Sequence, residues 1–383
     1  MLNSSYIELN KTALSNNINF IKSLLPSTTQ LSAVVKGNAY GHGIENYIPI
    51  AENAGVNHFS VYKMDEAQRV FKALKNKATI LIMGFIDLNE LTWVIENEIE
   101  FFIYDDERLL KAIEIAKSLD KKAIIHIEIE TGLNRTGYLP KNIPNLSKII
   151  KENSNQLNVK GICSHLAGAE SISNYIRIKS QISSFNKSVK SFEKKGIIFQ
   201  QKHLACSAAL INYPKTKLDL VRVGIMQYGL WSSKETFMYF LAKNKDAIDP
   251  LKRVISWKSK IANIKEVRSG DFVGYGTTFM TEGNMKIALI PVGYSDGYSR
   301  SLSNQGRVLV NGIRASVVGI INMNSIMIDI TLIPDVKIGD EVVLIGNQNE
   351  MDVSIASFSE LSNLLNYELL TRIPSEIPRH ITE

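Results

Sequence analysis

From Leu31 onward, short apolar β-branched runs alternate with stretches of helical period, and this alternation limits the folds open to the chain more than any other feature. Hairpins would need turn signals between the apolar runs; here helix-length segments separate them, the pattern of repeated βα units. Candidate strands are Leu31 to Lys36, His58 to Tyr62, Ala78 to Met83, Glu100 to Tyr104, Ala123 to Glu130, Val159 to His165, His203 to Cys206 and Asp219 to Val223. Helical stretches lie at Met64 to Leu74, Asp105 to Ser118 and Asn174 to Phe192, with Asp65 and Glu66 early in the first and lysines toward the ends. Strands in this number, joined by helices, predict a closed (β/α)8 TIM barrel, with an open doubly wound sheet as the alternative.

After about Lys243 the texture changes. Val254 to Val267, Lys286 to Val292, Arg307 to Val310 and Ile313 to Ile321 read as strands, Asn311 and Gly312 form a hairpin signal, and Gly339 and Asp340 turn the chain before Glu341 to Ile345. The expected fold class is therefore α/β, an N-terminal TIM barrel over residues 11–243 followed by a C-terminal mostly antiparallel β domain over 244–383, with residues 1–10 available to pair with the latter. A chain of 383 residues is long enough for two cores.

The net charge of +6 would suit nucleic acid if the lysines were clustered, but they are spread among acidic residues and read as solvated surface. Only Cys163 and Cys206 occur, which excludes a disulfide framework, gives no metal-ligand spacing and suits a reducing compartment. Met1 to Lys11 lacks the layout of a signal peptide, and no segment offers the roughly eighteen apolar residues of a membrane helix. The expectation is a cytoplasmic protein with no nucleic acid, membrane or metal partner.

The segment Ala33 to Gly43, AVVKGNAYGHG, ends an apolar strand at Lys36 and opens a glycine-containing turn. A lone lysine there would snorkel to water. At the C-terminal end of a barrel strand, partly shielded, its ammonium form is disfavoured and the amine becomes a nucleophile for a carbonyl cofactor. His165, Ser207 and Arg222 stand at or near the ends of later strands, the face where catalytic groups collect in such barrels. In AIIHIEIETGLNRTG, Ala123 to Gly137, His126, Glu128 and Glu130 share one face, and Arg135 follows as a partner for those carboxylates.

AVVKGNAYGHG closely resembles the cofactor-binding segment of alanine racemases, fold-type III pyridoxal-phosphate enzymes, and the likeness continues through FVGYGTTF, PVGYSDGYSR and NYELLTRIPSEIPR to the end of the chain. The resemblance implies that Lys36 bonds covalently to the aldehyde of pyridoxal 5'-phosphate and that Tyr40, Ser207, Gly224, Ile225 and Tyr367 serve its phosphate. It implies that Arg222 faces the pyridine nitrogen, making the ring a weaker electron sink than an aspartate would. Gly37 stands where the family usually has alanine, and Val223 where it usually has proline.

The resemblance further implies that Arg135 meets the cofactor's phenolic oxygen and the substrate carboxylate. Glu128, where the family often has a carbamylated lysine, would orient Arg135 by its own charge. Racemisation needs a base on each face of the substrate, and these are Lys36 and Tyr275, the latter contributed by the neighbouring subunit of a homodimer with shared sites. A free phenol titrates near about 10, and help for Tyr275 is expected from His165 hydrogen-bonded to Arg222. Tyr294 and the backbone of Met323 complete the substrate side. Around Met323 the sequence GIINMNSIMID departs from the family at Ile320, Asn322 and Asn324, where an arginine, a cysteine or serine and an aspartate are usual.

The activity so implied is interconversion of L- and D-alanine, supplying D-alanine for peptidoglycan. Asn322 and Asn324 leave open a racemase of different preference, for serine or basic amino acids. A pyridoxal phosphate carrier shares the lysine but lacks residues 244–383, and decarboxylases of this fold place an acid where Arg222 stands.

Overall fold

The chain opens on a strand, β1 (Ser5–Asn10), and then begins the expected alternation. Eight strands follow: β2 (Gln30–Val34), β3 (His58–Val61), β4 (Thr79–Ile82), β5 (Glu100–Ile103), β6 (Ala123–Glu128), β7 (Leu157–Cys163), β8 (Gln201–His203) and β9 (Leu220–Val223). They pair in the order β8-β7-β6-β5-β4-β3-β2-β9, and every pairing is parallel. Backbone hydrogen bonds from Asp219 to Lys202 (3.1 Å) and from Arg222 to Ala205 (2.9 Å) join the two ends of that order. The sheet thus curls into a TIM barrel; the open doubly wound alternative, whose strand order reverses partway, is excluded.

The computed structural model describes residues 4–244, 248–355 and 366–383. By its contacts the chain divides into two units: Ala13–Ala39 with Tyr47–Lys252, the barrel unit; and Tyr40–Asn46 with Arg253–Glu383 and the residues through Thr12. Residues 1–3, 245–247 and 356–365, which the domain bounds read from sequence include, lie outside the described residues.

Local chemistry sets the barrel elements. The helix Asp106–Ser118 starts where the Asp105 carboxylate accepts from the Arg108 backbone N–H (2.8 Å), carries Asp106 and Glu107 in its first turn and Lys117 in its last, and so complements its dipole at both ends. Phe101, Ile103, Ile125, Ile127, Val221 and Val223 are fully buried on the strands. Inside the barrel the side chains are unusually polar: Ser32, Ser60, His58, Glu100, His126, His203 and Arg222 are all buried.

In the second unit the strands are β10 (Ile255–Lys260), β11 (Asn263–Val267), β12 (Met285–Ile290), β13 (Arg307–Val310), β14 (Ile313–Val318), β15 (Ile326–Asp329), β16 (Glu341–Gln348), β17 (Met351–Val353) and β18 (Arg379–Thr382). With β1 they form one sheet, ordered β11-β12-β15-β14-β13-β16-β10-β1-β18 with β17 on β16, antiparallel except for β1 beside β18. Asn311 and Gly312 turn between β13 and β14 with φ of 51° and 77°, both left-handed as a two-residue hairpin requires.

Several strand boundaries shift by one to three residues from the sequence reading, as at Gln201–His203 for His203 to Cys206, and two in the second unit have a clear cause. Val254 to Val267 is two strands: at Ile261 and Ala262 the backbone changes partners, to Asp340 and then Leu289. Strand β14 stops at Val318 because Gly319 is left-handed (φ 74°) and a Cβ there would meet the Val273 carbonyl.

Candidate active site

Lys36 lies two residues past the end of β2. Its backbone neighbours Gly37, Asn38, Ala39 and Tyr40 all adopt left-handed φ, between 50° and 62°. Glycine tolerates this and asparagine visits it readily, but Ala39 and Tyr40 do so only where surroundings enforce it, at about 1–3 kcal/mol each. Glu66, buried in the first turn of the helix Met64–Ala73, supplies part of that enforcement: its carboxylate accepts from the Gly37 N–H (2.6 Å) and the Tyr62 N–H (3.0 Å). Arg69 donates to the Asn38 side chain (2.6 Å). Gln227, fully buried, donates to the Val34 and Val223 carbonyls (2.8 and 3.1 Å) and accepts from Tyr47, fixing the end of β2 against the end of β9.

Lys36 remains reachable by water, yet its ammonium form is disfavoured. Desolvation is the largest cause, Arg135 and Arg222 add repulsion, and Glu66 opposes them. Glu66→Gln should therefore act in two ways. It replaces one acceptor oxygen with an amide donor facing a backbone N–H, a loss of about 1–3 kcal/mol, and it lowers the proton affinity of Lys36 further. Calorimetry should show a lower thermal midpoint; an unchanged midpoint would remove Glu66 from this role.

Arg222 is buried within β9. Its guanidinium donates to His203 Nδ1, to the His203 carbonyl (3.2 Å) and to the Ser164 carbonyl (2.9 Å). The expected bond to His165 is thus corrected: the strand neighbour β8 brings His203 to Arg222, and the guanidinium reaches Ser164, just past the end of β7 and one residue short of His165. His165 nonetheless lies in the field of Arg222, Arg135 and Lys36; burial first and these cations second push its pKa down to about 3, so the imidazole is neutral near pH 7. Ser207 opens the short helix Ser207–Asn212, and its hydroxyl oxygen accepts from the Gly224 N–H (3.0 Å), which leaves the hydroxyl proton to donate elsewhere. Ile225 begins the turn after Gly224.

Glu128 is buried, and burial raises its pKa against the lowering influence of Thr136, Arg135 and Arg222. Its carboxylate accepts from the Thr136 hydroxyl (2.8 Å), and among the described residues it forms no ion pair with Arg135, the partner expected from sequence. Arg135 is exposed. Its loop is organised by Glu130, whose carboxylate accepts from the backbone N–H groups of Gly132, Asn134 (2.8 Å) and Arg135 (3.4 Å).

The other expected residues lie in the second unit. Tyr40 and Tyr367 meet edge to face with ring centroids 6.1 Å apart. They are held there because Gly41 packs its backbone on the Leu370 carbonyl and Arg379 donates to the Gly41 carbonyl (2.9 and 3.2 Å). Tyr275 stands between two left-handed glycines, Gly274 and Gly276, at the tip of a loop closed by a bridge between Phe272 and Met280, and is 71% exposed. A recess of about 500 Å³ beside it is lined by Val273, Tyr275, Asn322 and Met327, among others. The Tyr294 and Met323 segments are stapled together: Tyr294 N–H donates to the Asn322 carbonyl (3.1 Å), Ser295 N–H to the Met323 carbonyl (3.0 Å), and Asn324 to the Ser295 hydroxyl (2.9 Å). Tyr294 and Met323 are both exposed.

Lys36, Arg222, Ser207, Gly224, Ile225 and His165 therefore gather at the strand ends of the barrel unit. Sequence reasoning missed Glu66, which it read only as a helix-dipole partner, and His203, which it read only as the start of a strand. For pyridoxal phosphate, the group implied by the sequence, the donor chemistry fits: a deprotonation-prone amine for the aldehyde, a hydroxyl proton at a turn for phosphate, and a buried guanidinium that cannot yield a proton to a ring nitrogen.

Family models described as the alanine racemase N-terminal domain and C-terminal domain match residues 9–232 and 254–381. The alanine racemase of Clostridium perfringens is 35% identical over 377 residues, covering 98% of this chain and 94% of that one. The solved alanine racemase of Clostridium difficile 630 superposes with a TM-score of 0.90 at 30% identity, covering 100% and 96% of the two chains. A Bartonella henselae alanine racemase structure with covalently bound pyridoxal phosphate gives 0.86 at 26% identity, covering 100% of each chain. Among the described residues no helix is long and apolar enough to cross a membrane.

Proposed function

Because the chain belongs to the alanine racemase family and is a racemase of that kind, we propose that it interconverts L-alanine and D-alanine with pyridoxal 5'-phosphate. Its two bases are Lys36 of one protomer and Tyr275 of the partner subunit. The observation that carries this reading is the lowered proton affinity of Lys36 at a strand-end cluster that also holds a buried arginine and a phosphate-suited hydroxyl.

When bound, pyridoxal phosphate makes the substrate's α-hydrogen acidic; the chain's own residues do the rest. Lys36 Nζ, whose ammonium form is disfavoured, takes or returns the α-proton on one face of the substrate. Tyr275, on an exposed loop tip flanked by exposed Phe272 and Met280, serves the opposite face across a homodimer interface. Arg222, which cannot yield a proton, would leave the cofactor's ring nitrogen largely unprotonated and the ring a weaker electron sink, which favours return of a proton over side reactions. Ser207 and the turn at Gly224 and Ile225, with Tyr40 and Tyr367, hold the phosphate, and Arg135 receives the substrate carboxylate. Glu128 contributes negative charge near Arg135 rather than a direct ion pair. Tyr294 and the Met323 backbone bound the substrate on the partner's side. The setting is cytoplasmic, and the product serves peptidoglycan.

One observation favours a wider substrate range: Asn322 and Asn324 beside Met323 are neutral amides, Asn324 hydrogen-bonded to Ser295. A panel of enantiopure amino acids, each incubated with protein and pyridoxal phosphate, tests both readings. Either enantiomer of alanine should run to the racemate, fastest of the panel; serine or lysine outrunning alanine would favour the wider reading, and no change in optical rotation of any amino acid would overturn the function.

A further inference from the structure

Arg222 is the upper end of a buried chain of polar side chains that crosses the barrel interior. Below it, His203 Nε2 lies 2.9 Å from His126 Nδ1, and His126 Nε2 lies 2.7 Å from Glu100 Oε2. Glu100 Oε1 pairs with the Lys160 ammonium, which reaches partly into water. His126 and His203 are fully buried and Glu100 nearly so. Gly161 leaves the space that the His126 ring fills, since a Cβ there would strike the ring. Among the described residues no three His, Cys, Asp or Glu side chains are arranged to hold a metal ion, so the contacts are hydrogen bonds.

Each bond in this series fixes the next. Glu100, ionised because Lys160 and two histidines face it, only accepts, so His126 must carry its proton on Nε2. His126 Nδ1 is then a lone pair, and His203 must donate to it from Nε2. His203 Nδ1 is left as a lone pair, the one arrangement that can accept from a guanidinium, which only donates. Burial disfavours the imidazolium form of both rings, in keeping with single-proton tautomers.

We propose that Glu100 and His126 are positioning residues that set the tautomer of His203 from the far side of the barrel, and thereby hold Arg222 in place. Its consequence for the cofactor rests on the reading above, in which Arg222 faces the pyridine nitrogen.

Glu100→Gln separates this from simple packing. Lys160 can only donate, so it claims the new amide's carbonyl, and the amide's NH2 turns to His126 Nε2. The series then inverts: His126 carries its proton on Nδ1, His203 accepts on Nε2, and a His203 Nδ1–H confronts the Arg222 guanidinium. Solid-state nitrogen-15 spectra of histidine-labelled protein read tautomers directly, and six histidines make the assignment tractable.

In the native protein both His126 and His203 should carry the proton on Nε2; in Glu100→Gln both should move to Nδ1 and the dissociation constant for pyridoxal phosphate should rise about tenfold. A native His203 protonated on Nδ1 or on both nitrogens overturns the proposal, and this holds even if the variant does not fold. A folded variant whose His203 keeps its Nε2 proton overturns it as well. Native protein with the expected tautomers but no affinity for pyridoxal phosphate would contradict the proposed function instead.

Discussion

Replacing Lys36 with alanine is expected to slow alanine racemisation by at least about 10³-fold, because it removes a base and the covalent anchor together. The native protein incubated with pyridoxal phosphate and reduced with borohydride should retain the cofactor on the peptide carrying Lys36; the variant should release it on denaturation. Burial, Arg135 and Arg222 all work against the ammonium at this position, so its proton is held less tightly than that of a free lysine. Added small amines should restore part of the rate, since what is missing is an amine and not a fold. Racemisation at the native rate by Lys36→Ala would refute the assignment.

Tyr275→Phe removes a single oxygen atom from an exposed loop tip and should leave folding untouched. Its expected effect is a fall of about 10²–10⁴-fold in racemisation, with a particular signature in deuterium oxide. Lys36 still serves one face of the substrate, so one enantiomer should go on exchanging its α-hydrogen for deuterium while inversion stops. Equal losses of exchange for both enantiomers would mean that Tyr275 does not act as a face-specific base.

The barrel was legible because its strands are short apolar runs whose helices carry their own start signals, as Asp105 does for Asp106–Ser118. Lys36 and Arg222 were legible because each belongs to a compact local motif. What escaped was long-range. The acceptor of the Gly37 N–H is Glu66, and the partner of Arg222 is His203; neither spacing repeats in sequence, and both follow from strand register. The series from Glu100 through His126 to His203 joins β5, β6 and β8, so no stretch of sequence holds it. Likewise no glycine or proline within Val254 to Val267 marks the break at Ile261, because only the sheet decides that the backbone turns from Asp340 to Leu289.

The departure at Gly37 also gains a reason. At φ 62° a methyl group would add strain to a turn where three further residues are already left-handed. Glycine relaxes the first of four such residues, directly beside the lysine.

Shared sites can be examined by combining two inactive forms. Lys36→Ala and Tyr275→Phe chains, dissociated, mixed in equal amounts and reassociated, should form mixed dimers in which one site has lost both bases and the other has kept both. Random pairing gives about a quarter of native racemase activity if each site draws Lys36 from one protomer and Tyr275 from its partner. Activity no higher than the sum of the two separate variants would contradict that arrangement.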